Sequence, residues 1–313
     1  MGVEQLLVPC PFPDRSHPAA DQAAGYVRTV AAEVGLAGAA SATVVHSIAL
    51  ADAAAMTYPD AELDRLRVAT LWIAFLVLFD DAWSDLLVVE GDWREQVRAA
   101  HHRIHRVLDG AGTGDDPLAR LLARILDDIA VTAPDWDSSR LRTEIRRYLA
   151  ATVWELEMRA ANRIPDLHAY LPMRRVFSTM TVQRELDYYV CRLDLPEPVR
   201  HHPCLELVDL AVADYGCLAN DLYSFDSERQ HGITSNAITV LQHQYGWDVP
   251  TSVAQVQRMA AAALATFQQV SDDPPRFGLP DSDELRRYLD HYEAFMSAAA
   301  RWPARSARYR TER

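Results

Sequence analysis

The stretch VATLWIAFLVLFDDAWSDLL, Val68 to Leu87, decides the fold. From Val68 to Phe79 almost every residue is apolar, and the run ends abruptly in Asp80 and Asp81, with a third acid at Asp85. A helix that is apolar all round predicts burial on most sides. The run is twelve residues long, against about 20 for a bilayer-spanning helix, so it predicts a core element and no membrane span. Carboxylates at the end of a buried wall need partners, and a metal ion is one of the few adequate ones. On a helix Asp81 and Asp85 share a face, while Asp80 stands about 100° round from Asp81. Oxygen-only ligands favour Mg2+ over zinc. On this stretch alone the alternative is an acidic patch at a helix end.

Outward from this segment, helical periodicity dominates, alanine is abundant and alternating β-branched runs are scarce. The pattern predicts helices over about 19–36, 40–56, 61–88, 93–108, 117–131, 136–162, 167–191, 205–228, 232–244, 251–270 and 281–303. Breaks fall at DGAGTGDDP (109–117), APD (133–135), LDLPEPVRHHP (193–203) and DDPPRFGLPDSD (272–283). There is no strand series, no GxGxxG and no internal repeat. The prediction is an all-α fold, one helical bundle over residues 1–313, with an N-terminal segment at about 1–18 and a mobile C-terminal segment at 304–313.

Composition narrows the function. The chain has 313 residues, 49% of them apolar, enough for a large core. Its formal net charge of −13 argues against nucleic acid as a partner, because backbone binding needs basic surface. All 31 basic residues are arginine, so a Walker A loop and a Schiff-base lysine are both excluded. Cys10, Cys191, Cys204 and Cys217 form no CxxC, which fits free thiols in a reducing cytoplasm. The N-terminus lacks the basic region and apolar core of a signal peptide.

Three other aspartate pairs carry less. Asp115–Asp116 and Asp272–Asp273 adjoin Gly or Pro and read as turn or cap residues, and Asp127–Asp128 has no third acid one turn on. His101 and His105 share a helix face without a third partner, and HHPC (201–204) has no spaced cluster, so both read as surface histidines. A second informative stretch is CLANDLYSFDSE (217–228). Asn220, Ser224 and Glu228 recur at i, i+4 and i+8, which lines an amide oxygen, a hydroxyl and a carboxylate along one helix face over about 12 Å. That is a hard-cation donor set, and Mg2+ commonly completes its shell with water and phosphate oxygens. The alternative is a partly polar helix face, which the apolar LELVDLAVADYG before it disfavours.

With these motifs the chain resembles the bacterial class I terpene synthases. NDLYSFDSE (220–228) matches their second metal motif, (N/D)Dxx(S/T)xxxE, at every defining place. DDAWSD (80–85) is similar to their aspartate-rich DDxxD motif with the third acid one residue late. Arg174 lies 46 residues before Asn220, where the family has its pyrophosphate-sensing arginine, and WPARSARYR (302–310) holds an Arg308–Tyr309 pair like the family's C-terminal one. VWELEMRAANR (153–163) and PFPDRSHP (11–18) add weaker likeness, so the resemblance spans nearly the whole chain. It implies a single α-domain whose helices surround a deep apolar cavity. It implies Asp80 as a Mg2+ ligand, Asp81 as an acceptor for a diphosphate-binding arginine, and three Mg2+ ions held by Asp80, Asp85, Asn220, Ser224 and Glu228. Asp85 is out of register, since five residues turn it about 140° from Asp80. Two further departures are Ser227, where the family often has lysine, and Ser178, where it often has an effector glycine able to take angles serine avoids.

The resemblance implies a linear prenyl diphosphate as substrate and pyrophosphate as a product. Arg174, Arg308 and Tyr309 suit the diphosphate, while Arg175 reads as solvated or paired with an acid. Candidates for the apolar wall around an allylic cation are Phe75, Leu76, Val77, Phe79, Trp83 and Trp302, with Tyr188 and Tyr189. Farnesyl diphosphate is the first reading. Geranylgeranyl diphosphate is the alternative, because family members making fifteen-carbon products often carry aromatics where this chain has Leu76 and Val77. Arg174 is expected to face the surface and, with Arg308, to meet the diphosphate only on closure. A chain-elongating prenyl transferase fits less well, having two aspartate-rich motifs and several lysines. A non-catalytic helical interaction protein is the alternative of another class. The expected state is monomer or homodimer.

Overall fold

A computed structural model describes residues 8–36, 41–85 and 92–306, with 41–46 and 83–85 described by backbone alone. Among the described residues every regular element is helical, as predicted. In chain order they are α1 (Ala20–Glu33), α2 (Ser41–Thr57), α3 (Leu63–Asp85), α4 (Trp93–Leu108), α5 (Pro117–Thr132), α6 (Ser139–Ala160), α7 (Leu167–Phe177), α8 (Met180–Val190), α9 (Glu197–Arg200), α10 (Pro203–Gln230), α11 (Ala237–Tyr245), α12 (Val249–Asp272), a 3-10 turn (Pro274–Phe277) and α13 (Asp283–Arg305). Starts are set by side-chain caps: Asp92, Asp116, Asp166, Asn236, Asp248 and Ser282 each accept a backbone N–H of the first turn. Gly246, at φ 68°, closes α11 in the left-handed conformation that glycine takes without a Cβ penalty.

The chain packs as two compact units. One takes in Ser16–Leu149 and Glu185–Cys191, and the rest of the described chain makes the other; the boundary falls inside α6. In the first unit α3 packs against α1, α2 and α5, and α4 lies on α5. Trp72, Phe75, Phe79 and Tyr148 form an aromatic row at centroid spacings of 5.4, 5.7 and 5.5 Å, and the buried Thr70 in the same run satisfies its hydroxyl on the Leu66 carbonyl. Tyr58 donates to Asp187 at 2.7 Å, and Arg65 bonds the Tyr189 carbonyl and stacks over its ring. In the second unit α10 is the central helix, packed on α7, α11, α12 and α13. The extended residues before α1 are tied there: Phe12 meets Phe267 edge-on, and Arg301 bonds the carbonyls of Cys10 and Phe12.

The continuous helix predicted over 167–191 is broken. Ser178 caps α7 and Thr179, at φ 65°, turns the chain into α8. A β-branched residue is a poor candidate for that angle, and neither glycine nor proline marks the break, so the period reads straight through it. Ser178 itself has φ −92°, so the unusual backbone angle falls on its neighbour and no glycine is required at 178. The helix expected from 232 starts at Ala237, and α9 and the 3-10 turn were not anticipated. At the other end, α13 runs through Arg305, which bonds Asp14, and Ser306 is buried; these first residues of the segment expected to be mobile are anchored. Arg308 and Tyr309 lie outside the described residues. No helix of the described residues is long and apolar enough to cross a membrane.

Candidate metal and diphosphate site

α10 presents the second motif along one face. Ser224 is buried, Asn220 and Glu228 are half-buried, and Ser224 Oγ donates back to the Asn220 carbonyl at 2.8 Å. Beneath them, Asp221 is fully buried and collects three donors from two helices. Arg174 Nε of α7 reaches its Oδ1 at 3.0 Å, Tyr170 Oη donates to Oδ2 at 2.7 Å, and the Ala237 amide at the start of α11 donates to Oδ2 at 2.9 Å. Arg174 also donates from Nη2 to Asn220 Oδ1 at 2.8 Å and lies over the Phe177 ring.

This placement corrects the expectation for Arg174. Its guanidinium is buried, 8% exposed, and ion-paired with Asp221, so it is part of the core of this unit as well as of the motif. The physical reason is Asp221. A carboxylate with no exposure needs a cation, and the arginine 47 residues earlier supplies it. Burial pulls the Arg174 pKa down, but Asp221, with Tyr170, Cys217 and Glu228 behind it, together outweigh burial and hold the guanidinium protonated. Arg175 makes a bidentate pair with Asp214 at 2.6 and 2.8 Å, the acid-paired role anticipated for it.

Glu228 ends the motif in a different setting. Its Oε2 accepts from Asn236 Nδ2 at 2.9 Å, a neutral donor. Burial, and then the charge of Asp221, push its carboxyl up to about 7. The cluster therefore sets two carboxylates against one guanidinium in a desolvated place, an arrangement that an added cation would relieve. Amide, hydroxyl and carboxylate oxygens are the donors a hard cation such as Mg2+ takes, and Asn220 Oδ1 has a second lone pair beyond the one Arg174 uses. The residues present therefore fit Mg2+. Among the described residues no group of three His, Cys, Asp or Glu stands together; Asn220, Ser224 and Glu228 hold only one such residue.

In the other unit, Asp80 and Asp81 stand exposed near the end of α3, and the side chains of Trp83 and Asp85 lie outside the described residues. Phe75 and Phe79 are buried in the aromatic row, while Leu76 and Val77 are half-buried. Phe79 also edges a cavity of about 390 Å³ lined with Ala82, Ala99, Ile104 and Leu118. Trp302 is half-buried on α13. The remaining acid pairs are structural where their contacts are visible. Asp116 caps α5 and pairs with Arg103, and Asp128 holds Tyr26 and Arg124. His101 is half-buried against His105, contrary to a plain surface role, and His202 caps α10.

Asp221, Tyr170 and Asn236 escaped the sequence reading. Asp221 was visible as the second letter of NDLYSFDSE, but periodicity turns it off the ligand face. Asn236 was visible only as a cap before AITVL.

The sequence pattern described as "Terpene synthase family 2, C-terminal metal binding" matches residues 71–266, which contain both acidic motifs and Arg174. The chain belongs to this terpene synthase family. Terpentetriene synthase of Kitasatospora griseola is 29% identical over 269 residues, covering 82% of this chain and 84% of the relative. (+)-T-muurolol synthase ((2E,6E)-farnesyl diphosphate cyclizing) of Roseiflexus castenholzii is 27% identical over 258 residues, covering 82% and 78%. Among solved structures, germacradien-4-ol synthase from Streptomyces citricolor superposes with a TM-score of 0.80 at 23% identity, over 96% of this chain and 98% of that one. The helical fold is thus the class I terpenoid synthase fold. This terpene synthase is an enzyme, a lyase, with terpene cyclisation as its general chemistry.

Proposed function

We propose that this terpene synthase ionises and cyclises a linear prenyl diphosphate, farnesyl diphosphate in the first place, to a terpene hydrocarbon or alcohol, with Mg2+ bound and pyrophosphate released. The observation that carries the reading is the part-buried Asn220–Ser224–Glu228 face with Arg174 bonded to its first oxygen. The relative whose name specifies farnesyl diphosphate cyclisation supports the substrate. Asn220, Ser224 and Glu228 would hold Mg2+, with Asp80 and Asp85 as further ligands and three ions in all. Bound Mg2+ supplies Lewis-acid neutralisation of the charge that develops on the departing pyrophosphate.

The chain's own groups do the rest. Arg174 and Arg308 donate to phosphate oxygens, where a guanidinium fork matches the anion, and Tyr309 adds a hydroxyl donor. Asp81 accepts from a diphosphate-binding arginine. Phe75, Leu76, Val77, Phe79, Trp83 and Trp302 keep water from the allylic cation, and aromatic faces stabilise it. A geranylgeranyl substrate is the second reading, favoured by the aliphatic pair Leu76–Val77 on α3.

The test is incubation of the pure protein and Mg2+ with each diphosphate in turn, followed by mass analysis of the organic layer and assay of pyrophosphate. Mg2+-dependent turnover of farnesyl diphosphate into cyclic product is expected. A clear preference for geranylgeranyl diphosphate replaces the substrate, and Mg2+-independent turnover overturns the metal assignment.

A further inference from the structure

Asn236 is fully buried and stands outside the second metal motif, yet its side chain touches that motif twice. Its Nδ2 donates to Glu228 Oε2 at 2.9 Å and to the Asp221 carbonyl at 2.8 Å. Its Oδ1 accepts the Ile238 amide at 2.9 Å, which caps α11. The orientation of the amide is fixed by these partners. Both neighbours of Nδ2 are acceptors and the neighbour of Oδ1 is an N–H, so the flipped amide would set oxygen against oxygen twice. The cap locks the side chain to a helix start, and that helix start is itself locked to α10 by the Ala237 amide on Asp221 Oδ2 at 2.9 Å. Glu228 lies in the last turn of α10, where side chains are least constrained by the helix. Besides Asn236 its carboxylate has Ser224 as a partner, and with that contact alone it would sweep more rotamers at the cost of ligand geometry.

We infer that Asn236 is a positioning residue for metal binding: it holds Oε2 of Glu228 and so aims the rest of the carboxylate along the Asn220–Ser224 face. A neutral donor suits this task. It fixes the carboxylate without cancelling the charge the cation needs, whereas an arginine or lysine in its place would compete with the metal. Outer partners of metal ligands are worth about 10–100-fold in affinity or activity when removed. The inference rests on Glu228 being a metal ligand, and the experiment separates the two.

The probe is Mn2+ with inorganic pyrophosphate, titrated into the full-length protein and followed by electron paramagnetic resonance of free Mn2+, with no turnover involved. The variant is Asn236→Ser. Serine is as good a helix cap as asparagine but too short to reach Glu228, so it keeps the cap and removes both Nδ2 bonds, to Glu228 and to the Asp221 carbonyl. The expected result is at least a ten-fold weaker Mn2+ affinity, a parallel rise in the Mg2+ needed for half-maximal rate, and kcat at saturating Mg2+ within about three-fold of the parent. In the Glu228→Ala background the same change should add less than two-fold, since there is no ligand left to aim. If Glu228→Ala leaves Mn2+ binding unchanged, the metal reading of the motif fails. If Glu228→Ala weakens binding and Asn236→Ser does not, the motif reading stands and this inference falls. If serine abolishes the metal-free melting transition, Asn236→Asp keeps both shape and cap oxygen while turning the donor facing Glu228 into an acceptor. The same ten-fold loss is expected of it, and equal or tighter binding overturns the inference.

Discussion

Replacing Arg174 should destabilise the protein even when no metal or substrate is present. Asp221 is fully buried, and Arg174 supplies its neutralising charge through contacts at 2.7 and 3.0 Å. Two neutral donors, Tyr170 and the Ala237 amide, would remain. Breaking a buried ion pair by removing one partner costs about 3–5 kcal/mol, and the surviving donors place this site near the lower end, at about 3 kcal/mol. Arg174→Met is the sharper perturbation than alanine, because it keeps an apolar stem over Phe177 and deletes only the charged head. With a urea m-value of about 3 kcal/mol/M, the midpoint should fall by about 1 M. The assay is urea unfolding in a chelator, which removes any contribution from bound cation. Asp221→Asn alone should also destabilise, by leaving the guanidinium without its anion. The double variant should be more stable than the sum of the two losses by about 2 kcal/mol or more. A loss below about 1 kcal/mol for Arg174→Met, or strict additivity in the double variant, would refute the pairing as an energetic element.

Three more outcomes follow from other sites. Tyr170→Phe should cost about 1.5–3 kcal/mol in the same unfolding assay, since its hydroxyl bonds a charged, buried acceptor at 2.7 Å; a neutral effect would mean water replaces it. Asp80→Asn should lower steady-state turnover more than Asp85→Asn across a Mg2+ series, because Asp80 is in register with the family's ligand and Asp85 is not; the reverse order would rotate the assignment by a residue. His101 should make stability acid-sensitive. Burial, and then His105, hold its pKa down at about 4 against 6.5 unfolded, so the unfolded chain binds more protons and stability falls as pH drops from about 6.5 towards 4. Discounted for partial exposure, the loss is about 1–2 kcal/mol. His101→Leu should therefore show a flatter stability profile over that window, and parallel profiles would count against the shift.

What the sequence made legible, and what it hid, divides along one physical line. Patterns that repeat along a single helix were readable. The apolar run of Val68–Phe79 declared a buried α3, and the four-residue spacing of Asn220, Ser224 and Glu228 declared one oxygen-bearing face of α10. Caps were readable for the same reason, since Asp116 and its helix are neighbours in the chain. Relations between residues far apart in sequence were not. Arg174 read as a surface arginine because its own helix says nothing of Asp221. The break after Phe177 was hidden because it depends on Thr179 accepting φ 65° with no local signal. The same distinction explains why the motif gives an incomplete site. Three of its letters, Asn220, Ser224 and Glu228, share one oxygen-bearing face, whereas its second letter, Asp221, and Asn236 outside it are buried and bond the groups around that face. A ligand face of one amide, one hydroxyl and one carboxylate has little charge of its own to attract a divalent ion. It depends on being rigid and desolvated. Here rigidity comes from a series of bonds running from Arg174 to Asp221, to the start of α11, and through Asn236 to Glu228. Each link fixes a polar group that burial would otherwise penalise. The residues that fix the geometry of the motif are thus the ones that periodicity alone assigns to the core.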